Sequence, residues 1–140
     1  MDHRHPSPER ELLVPSDFGL PEIRLVGRYA YSRAHPPLRP HLHRDAYEVC
    51  LLLSGTQTYR VGGARFDLEA GYLIVTRPGE VHGTGGEPEG RGCLCWIQFA
   101  RPAGRRPFLG LSAGEARALF ARLDRLAGAP HRDGGALVGA

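Results

Sequence analysis

The sequence predicts a single all-β domain followed by one helix. Two observations carry that expectation. Its 140 residues include 19 glycines and 12 prolines, a load of turn formers that suits many short elements. Apolar residues recur at strand spacing through the first hundred positions and change to helical spacing only after residue 110. The length suits one domain and leaves little room for a second.

The elements read in order as follows. Residues 1–16, MDHRHPSPERELLVPS, are polar and proline-rich and are expected to form a flexible arm. Its His3 and His5 read as ordinary polar sequence. The β region is expected over residues 17–108. EIRLVGRYAYSR alternates as a strand and stops at HPPLRP. HLHRDAYEVCLLLSG and TQTYRVGGARFDLEAG follow, with Gly62-Gly63 between two short alternating segments as a hairpin signal. YLIVT is broken by RPGE and resumes at Val81-His82, and the loop GTGGEPEGRG leads into the last strand, CLCWIQFA, at residues 93–100. Residues 109–130 change character. Ser112 and Glu115 fit a capping box. Ala116, Leu119, Phe120, Leu123 and Leu126 fall at three- and four-residue spacing, and Gly128 and Pro130 end an amphipathic helix of about four turns. That helix should cover the β domain or form a dimer interface. Residues 131–140, HRDGGALVGA, carry no packing signal and read as a disordered tail or truncated linker.

Composition narrows the chemistry. All 18 basic residues are arginine, so a lysine Schiff base or lysine nucleophile is excluded. The net charge is +3 and the isoelectric point about 9.0. The arginines are scattered, however, and the densest group, Arg101, Arg105 and Arg106, reads as a solvated loop. Nothing there forms a nucleic-acid footprint. Cys50, Cys93 and Cys95 make an odd count without an apolar leader, which argues against a secreted disulfide framework. Cys93 and Cys95 point the same way along one strand and are poorly placed to bond each other. The longest strongly apolar run, Val49 to Leu53, is too short to span a membrane. A cytoplasmic protein is expected.

The chemically informative residues lie between positions 41 and 98. His41 and His43 are two apart, so in a strand they share a face with Cα atoms roughly 6.5 Å apart. Two imidazoles so placed can converge on one ion, each nitrogen about 2.0–2.1 Å from it. Glu48 does not share their parity: counting by twos from His41 reaches Tyr47. For Glu48 to join them the chain must turn or bulge at Arg44-Asp45. An inward Glu48 carries Cys50 and Leu52 inward and sends Val49, Leu51 and Leu53 to the other face. Both faces are then apolar, and the strand needs a second cover outside, either the helix or a partner subunit. A carboxylate buried beside Cys50 and Leu52 carries a large desolvation cost unless it is paired, protonated or bound to a cation. The arrangements on offer are histidines with a metal and a metal-free His–Glu network.

These residues resemble the two motifs of the cupin superfamily. The first reads His41-x-His43-x4-Glu48-x6-Gly55, and the second runs from Gly71 through Pro78-Gly79 to His82. Two departures stand out: Tyr72 stands where cupins usually have aspartate, and Arg77 stands where the family proline normally sits. The resemblance implies a single double-stranded β-helix, or jelly-roll barrel, with His41, His43, Glu48 and His82 lining it as a metal-ligand set. Such a set suits one divalent transition metal, Zn, Fe, Mn, Ni or Cu. Ligand type neither selects among them nor requires that one be held.

The phrasing around the motifs, YEVCLLLSGTQTYRVGG, RPGEVHGTGG, CLCWIQFA and LGLSAGEARALFARLDRLAG, resembles the N-terminal ligand-binding and dimerisation domain of AraC-type transcription regulators. This implies a small-molecule effector, a homodimer, and an arm able to fold over the ligand. The family reads DNA with two helix-turn-helix units placed further along. Nothing in these 140 residues corresponds to them, so no direct nucleic-acid binding and no membrane contact are expected. Trp96 and Gln98 share a strand face with Leu94. An aromatic beside an amide suits a sugar-like or aromatic ligand, against the alternative of a core tryptophan and an exposed glutamine. Tyr47 and Arg77 are the other ligand-contact candidates, Arg77 as partner to an anionic ligand or as a solvated turn residue. No catalytic residue is expected. The alternative is a metal-dependent enzyme of dioxygenase or isomerase type, using the same four residues as ligands.

Overall fold

A computed structural model describes residues 7–100 and 107–132. The described residues form β1 (Arg10–Leu13), a 3-10 turn (Pro15–Phe18), β2 (Ile23–Tyr31), β3 (His35–Pro37), β4 (Ala46–Val61), β5 (Ala64–Glu69), β6 (Leu73–Thr76), β7 (His82–Gly83), β8 (Pro88–Glu89), β9 (Gly92–Ala100) and α1 (Ala113–Leu126). Every strand pair is antiparallel, in the order β1-β2-β9-β4-β5, with β6 and β7 also pairing β4 and a short β3–β8 ribbon apart. This is the expected jelly-roll barrel with a C-terminal helix.

β4 organises it. Its first half lies between β9 and β6, so Glu48 faces Gln98 on one side and Thr76 on the other, and Cys50 faces Trp96 and Ile74. Its second half turns at Gly62-Gly63 into β5 and also receives β7. The two faces of β4 belong to two cores, as its double apolar pattern requires. Cys50, Leu52, Tyr59 and Val61 join Leu25, Tyr29, Leu94 and Trp96 inside the barrel. Tyr47, Val49, Val75 and Phe99 pack outside against Phe108, Phe120 and Leu123. α1 is therefore the second cover, and its apolar stripe is taken up by the barrel. Leu53 departs from the pattern: the β4–β9 register shifts between Leu52 and Ser54, which leaves Leu53 47% exposed.

Two glycines make the barrel closable. Gly27 sits opposite Trp96, and a Cβ there would lie 2.2 Å from the indole. Gly55 has φ +87°, and a Cβ there would lie 2.3 Å from the Arg91 carbonyl. The capping box of α1 forms as its sequence suggests: the Glu115 N–H donates to Ser112 Oγ at 3.1 Å, and the Ser112 N–H donates to Glu115 Oε2 at 2.8 Å.

Three expectations need correction or fall elsewhere. Within the expected arm, Arg10–Leu13 form β1, which pairs with β2, and Arg10 is buried at 5% exposure. The tail is fixed at its start: His131 exchanges backbone hydrogen bonds with Leu73 at 2.8 and 2.9 Å. His3, His5 and the Arg101, Arg105 and Arg106 group lie outside the described residues. The three thiols are free, and among the described residues no helix is long and apolar enough to cross a membrane.

Leu123, only 1% exposed, anchors α1. Leu123→Ala should lower the stability of the barrel by about 2–5 kcal/mol, read as a shift of the urea unfolding midpoint at unchanged slope. A loss of a few tenths would mean that α1 is not docked.

Candidate metal and ligand site

The two histidine segments are stitched together through their backbones. His41 and His82 exchange N–H···O bonds, both 2.9 Å, and the Gly79 N–H donates to the His43 carbonyl at 2.8 Å. The Pro78-Gly79 turn thus holds the first motif in place. Its own geometry is closed by the Glu80 carboxylate, which accepts the Arg77 N–H at 2.7 Å. The chain bends at Arg44-Asp45 before β4 begins, which restores the parity that lets Glu48 face the histidines. Asp45 is held there by a forked ion pair with Arg24 from β2.

His41, His43, Glu48 and His82 accordingly meet, each offering a ligand atom, all within 4.8 Å of one another. Glu48 is 5% exposed, yet both of its oxygens are engaged. Gln98 Nε2 donates to Oε2 at 2.7 Å, His43 Nε2 lies 3.2 Å from the same atom, and His82 Nε2 lies 3.2 Å from Oε1. The Cys50 thiol donates to Oε1 at 3.5 Å. His41 Nδ1 and His82 Nδ1 lie 2.9 and 3.0 Å from the carbonyls of Arg39 and Glu80. A carbonyl only accepts, so these Nδ1 atoms carry protons and the Nε2 atoms face the cluster. His82 Nε2 is fully buried and, despite its proximity to Glu48, is not aligned for a hydrogen bond.

The electrostatics follow from this packing. Burial pushes the Glu48 carboxyl up, but the close approach and positive charge of His43 and His82 outweigh it and hold the group well below the usual carboxylate range. Burial depresses His41, and the Arg39 carbonyl only partly offsets it. Burial acts the same way on His82, but Glu48 overrides it and raises this imidazole above its ordinary value. A bare Nε2 lone pair beside a carboxylate is unfavourable, so the cluster calls for positive charge, either a proton on an imidazole or a cation among the four atoms. Three imidazole nitrogens and one carboxylate fit a divalent transition metal.

Space lies on both sides of the cluster. Inward is a chamber with free room of about 20 Å³, enough for about one water molecule, walled by Arg10, Tyr29, Glu48, Tyr59, Glu89 and Trp96. Outward is a cleft of about 610 Å³, with His43 and Gln98 on its wall beside Leu12, Leu25 and Leu42 and the Arg24–Asp45 pair. Trp96 and Gln98 do share the inward face of β9, but they serve different spaces. Trp96 lines the chamber and Gln98 the cleft.

Tyr47 and Arg77 are not brought to the site, and their candidacy is corrected. Tyr47 is one residue from Glu48 and faces the opposite side, where its hydroxyl donates to Asp124 Oδ1 of α1 at 2.7 Å. Arg77 Nη2 donates to the Asp124 carbonyl at 2.6 Å. Both tie the helix to the barrel. Arg10, Tyr29, Tyr59 and Glu89 line the chamber without having been singled out. Strict alternation from Glu48 would turn Tyr59 to the other face; the register shift between Leu52 and Ser54 brings it inward, and no pattern marks an arginine in a polar arm as buried.

A small antiparallel barrel with this three-histidine, one-glutamate cluster defines a cupin. The fold is shared with a cupin protein from Bacteroides fragilis, at 16% identity and a TM-score of 0.54 over 78% of this chain and 92% of that one. It is also shared with a protein from Thermotoga maritima designated a predicted oxalate decarboxylase, at 19% identity and 0.52, over 66% and 81% of the two chains. Likeness at this level shows the fold alone. No curated protein matches the chain. Residues 25–132 match the AraC-like ligand binding domain, and the chain belongs to that family.

Gln98 is the donor closest to the Glu48 carboxylate. Gln98→Leu should therefore cost about 1–3 kcal/mol of stability in metal-free protein, measured by urea unfolding at neutral pH. An unchanged midpoint would show that the amide does not hold the carboxylate.

Proposed function

We propose that this chain senses a small molecule as the ligand-binding and dimerisation domain of an AraC-type transcription regulator. Helix-turn-helix units for DNA would lie outside these 140 residues. The observation that carries the reading is the cleft beside the cluster in a member of a ligand-binding family. Its volume of about 610 Å³ falls within the range of about 300–1,000 Å³ usual for small-molecule sites. Apolar walls at Leu12, Leu25 and Leu42, with His43 and Gln98 as polar groups, suit a compact effector with an apolar edge and hydroxyl, amine or acid groups. The effector lies along the inward face of β9, with Gln98 in the cleft and Trp96 in the chamber beyond. The homodimer rests on the family. Because the barrel takes up the stripe of α1, a second copy would use another face. The apolar candidate is the segment holding Leu13, Phe18 and Leu20, which are 50%, 72% and 43% exposed.

The second reading, a metal-dependent cupin enzyme, is favoured by one observation: His41, His43, Glu48 and His82 each offer a ligand atom, all within 4.8 Å of one another. His41, His43, Glu48 and His82 would hold the metal, which would supply Lewis-acid or redox chemistry. Gln98 would orient the carboxylate and the cleft would bind substrate.

The two readings separate on recovery of the ligand. Metal-loaded protein is screened by thermal shift against sugars, amines and small acids, and each hit is recovered and analysed by mass spectrometry. A sensor gains about 2.7 kcal/mol at a hundredfold excess over Kd and returns the compound unchanged. Turnover of a hit would establish the enzyme, and no hit at all would remove both readings. Sedimentation of the same sample should give the mass of two chains. A monomer at micromolar concentration would remove the dimerisation half of the proposal.

A further inference from the structure

The inner chamber already has an occupant. Arg10 reaches in from β1, its guanidinium carbon 5.1 Å from the centre of the Trp96 ring, and the residue is 5% exposed. Around it stand the aromatic rings of Tyr29 and Tyr59 and the carboxylates of Glu48 and Glu89. Aromatic faces together with carboxylates, away from water, are the chemistry that recognises an alkylammonium or guanidinium ion. Burial pushes the Glu89 carboxyl up, while Arg10 and His35 pull it down, so Glu89 and Arg10 act on each other across this space.

A buried arginine is a poor choice for stability alone. An apolar side chain of similar length generally serves a core at least as well, because it carries no desolvation cost. Leu12, the next inward position of β1, is such a residue and packs against the inner core. The strand bearing Arg10 is also lightly held. It is a four-residue edge strand, and Glu9 secures its start by accepting from Ser32 at 3.0 Å and contacting His35 Nε2 at 2.9 Å. With Arg10 in place the free room is about one water molecule, so a ligand that reaches Trp96 has to take the space that Arg10 fills.

The geometry points to a cation site in this chamber. Arg10 is its tethered occupant, and the effector is a small amine or guanidine that displaces Arg10 from Trp96 and releases β1 from β2. This rests on the sensing reading in taking the barrel interior as the effector site, and adds the ligand's class and the element it moves. The tethered cation sets a threshold: apparent affinity falls by the fraction of time that Arg10 holds the site.

Trp96 is the single tryptophan, so its fluorescence reports the chamber directly. The probes are agmatine and methylguanidine as cations, glucose as a neutral sugar and acetate as an anion. They are titrated into the full chain as wild type, Arg10→Met and Arg10→Lys. Arg10→Met, which keeps the stem without the charge, should bind agmatine about tenfold or more tighter than wild type, and Arg10→Lys should return to the weaker binding. In wild type, saturating agmatine should speed hydrogen exchange at the β1 amides. If Arg10→Met fails to fold, that exchange experiment decides alone, and β1 amides that stay protected overturn the proposal. Glucose or acetate binding where the cations do not overturns the cation class and leaves the sensing reading standing. Silence of all four probes in wild type and in folded Arg10→Met overturns the proposal, and the screen described above then decides the sensing reading separately.

Discussion

A carboxylate held out of water between imidazoles constrains the rest of this barrel. Glu48 sits inside an apolar strand, with Cys50 and Leu52 beside it on the same face. Its burial is tolerable only because His43, His82 and Gln98 converge on it from other parts of the chain. That convergence needs the Arg44-Asp45 bend, the His41–His82 backbone pairing and the bond from Gly79 to His43. Together they place three imidazoles around one carboxylate.

The same strand explains the division of labour across the molecule. Every inward residue of β4 belongs to the site or its surroundings, and the outward residues of its first half belong to the helix. Tyr47 and Glu48 are neighbours in sequence, yet one fastens α1 through Asp124 and the other anchors the cluster. β9 repeats the arrangement. Gln98 and Trp96 face the interior, and Phe99 packs under α1. The helix thereby covers the outer face of the two strands that carry the cluster, and the barrel has one face already committed.

Much of this was legible in the sequence. The hairpin at Gly62-Gly63 and the capping box of α1 follow from spacing alone, and Cys50 and Leu52 follow Glu48 inward once the cupin resemblance places it there. The grouping of His41, His43, Glu48 and His82 was implied by two short motifs that resemble those of cupins. What escaped was set by contacts between distant segments. Parity along β4 excludes Tyr47 once Glu48 is placed inward, but Arg77 is directed by the helix it bonds, which no local pattern reveals. Arg10 escaped for another reason. A polar, proline-rich arm reads as solvated, whereas the β1–β2 pairing carries that side chain inside, beside the ring of Trp96. Leu53 was assigned by strict alternation and lost to a register shift, which sequence spacing does not announce.

The central claim is that the cluster calls for positive charge at His82, from a proton or from a metal. The most direct measurement is nitrogen-15 NMR of the imidazoles in metal-free protein at pH 6.5, followed by addition of zinc. Because Glu48 raises His82 above its ordinary value of 6.5, the account predicts a His82 ring mostly protonated on both nitrogens. One equivalent of zinc should then shift the Nε2 signals of His41, His43 and His82 together. A neutral His82 with a bare Nε2 and no response to zinc would contradict the account.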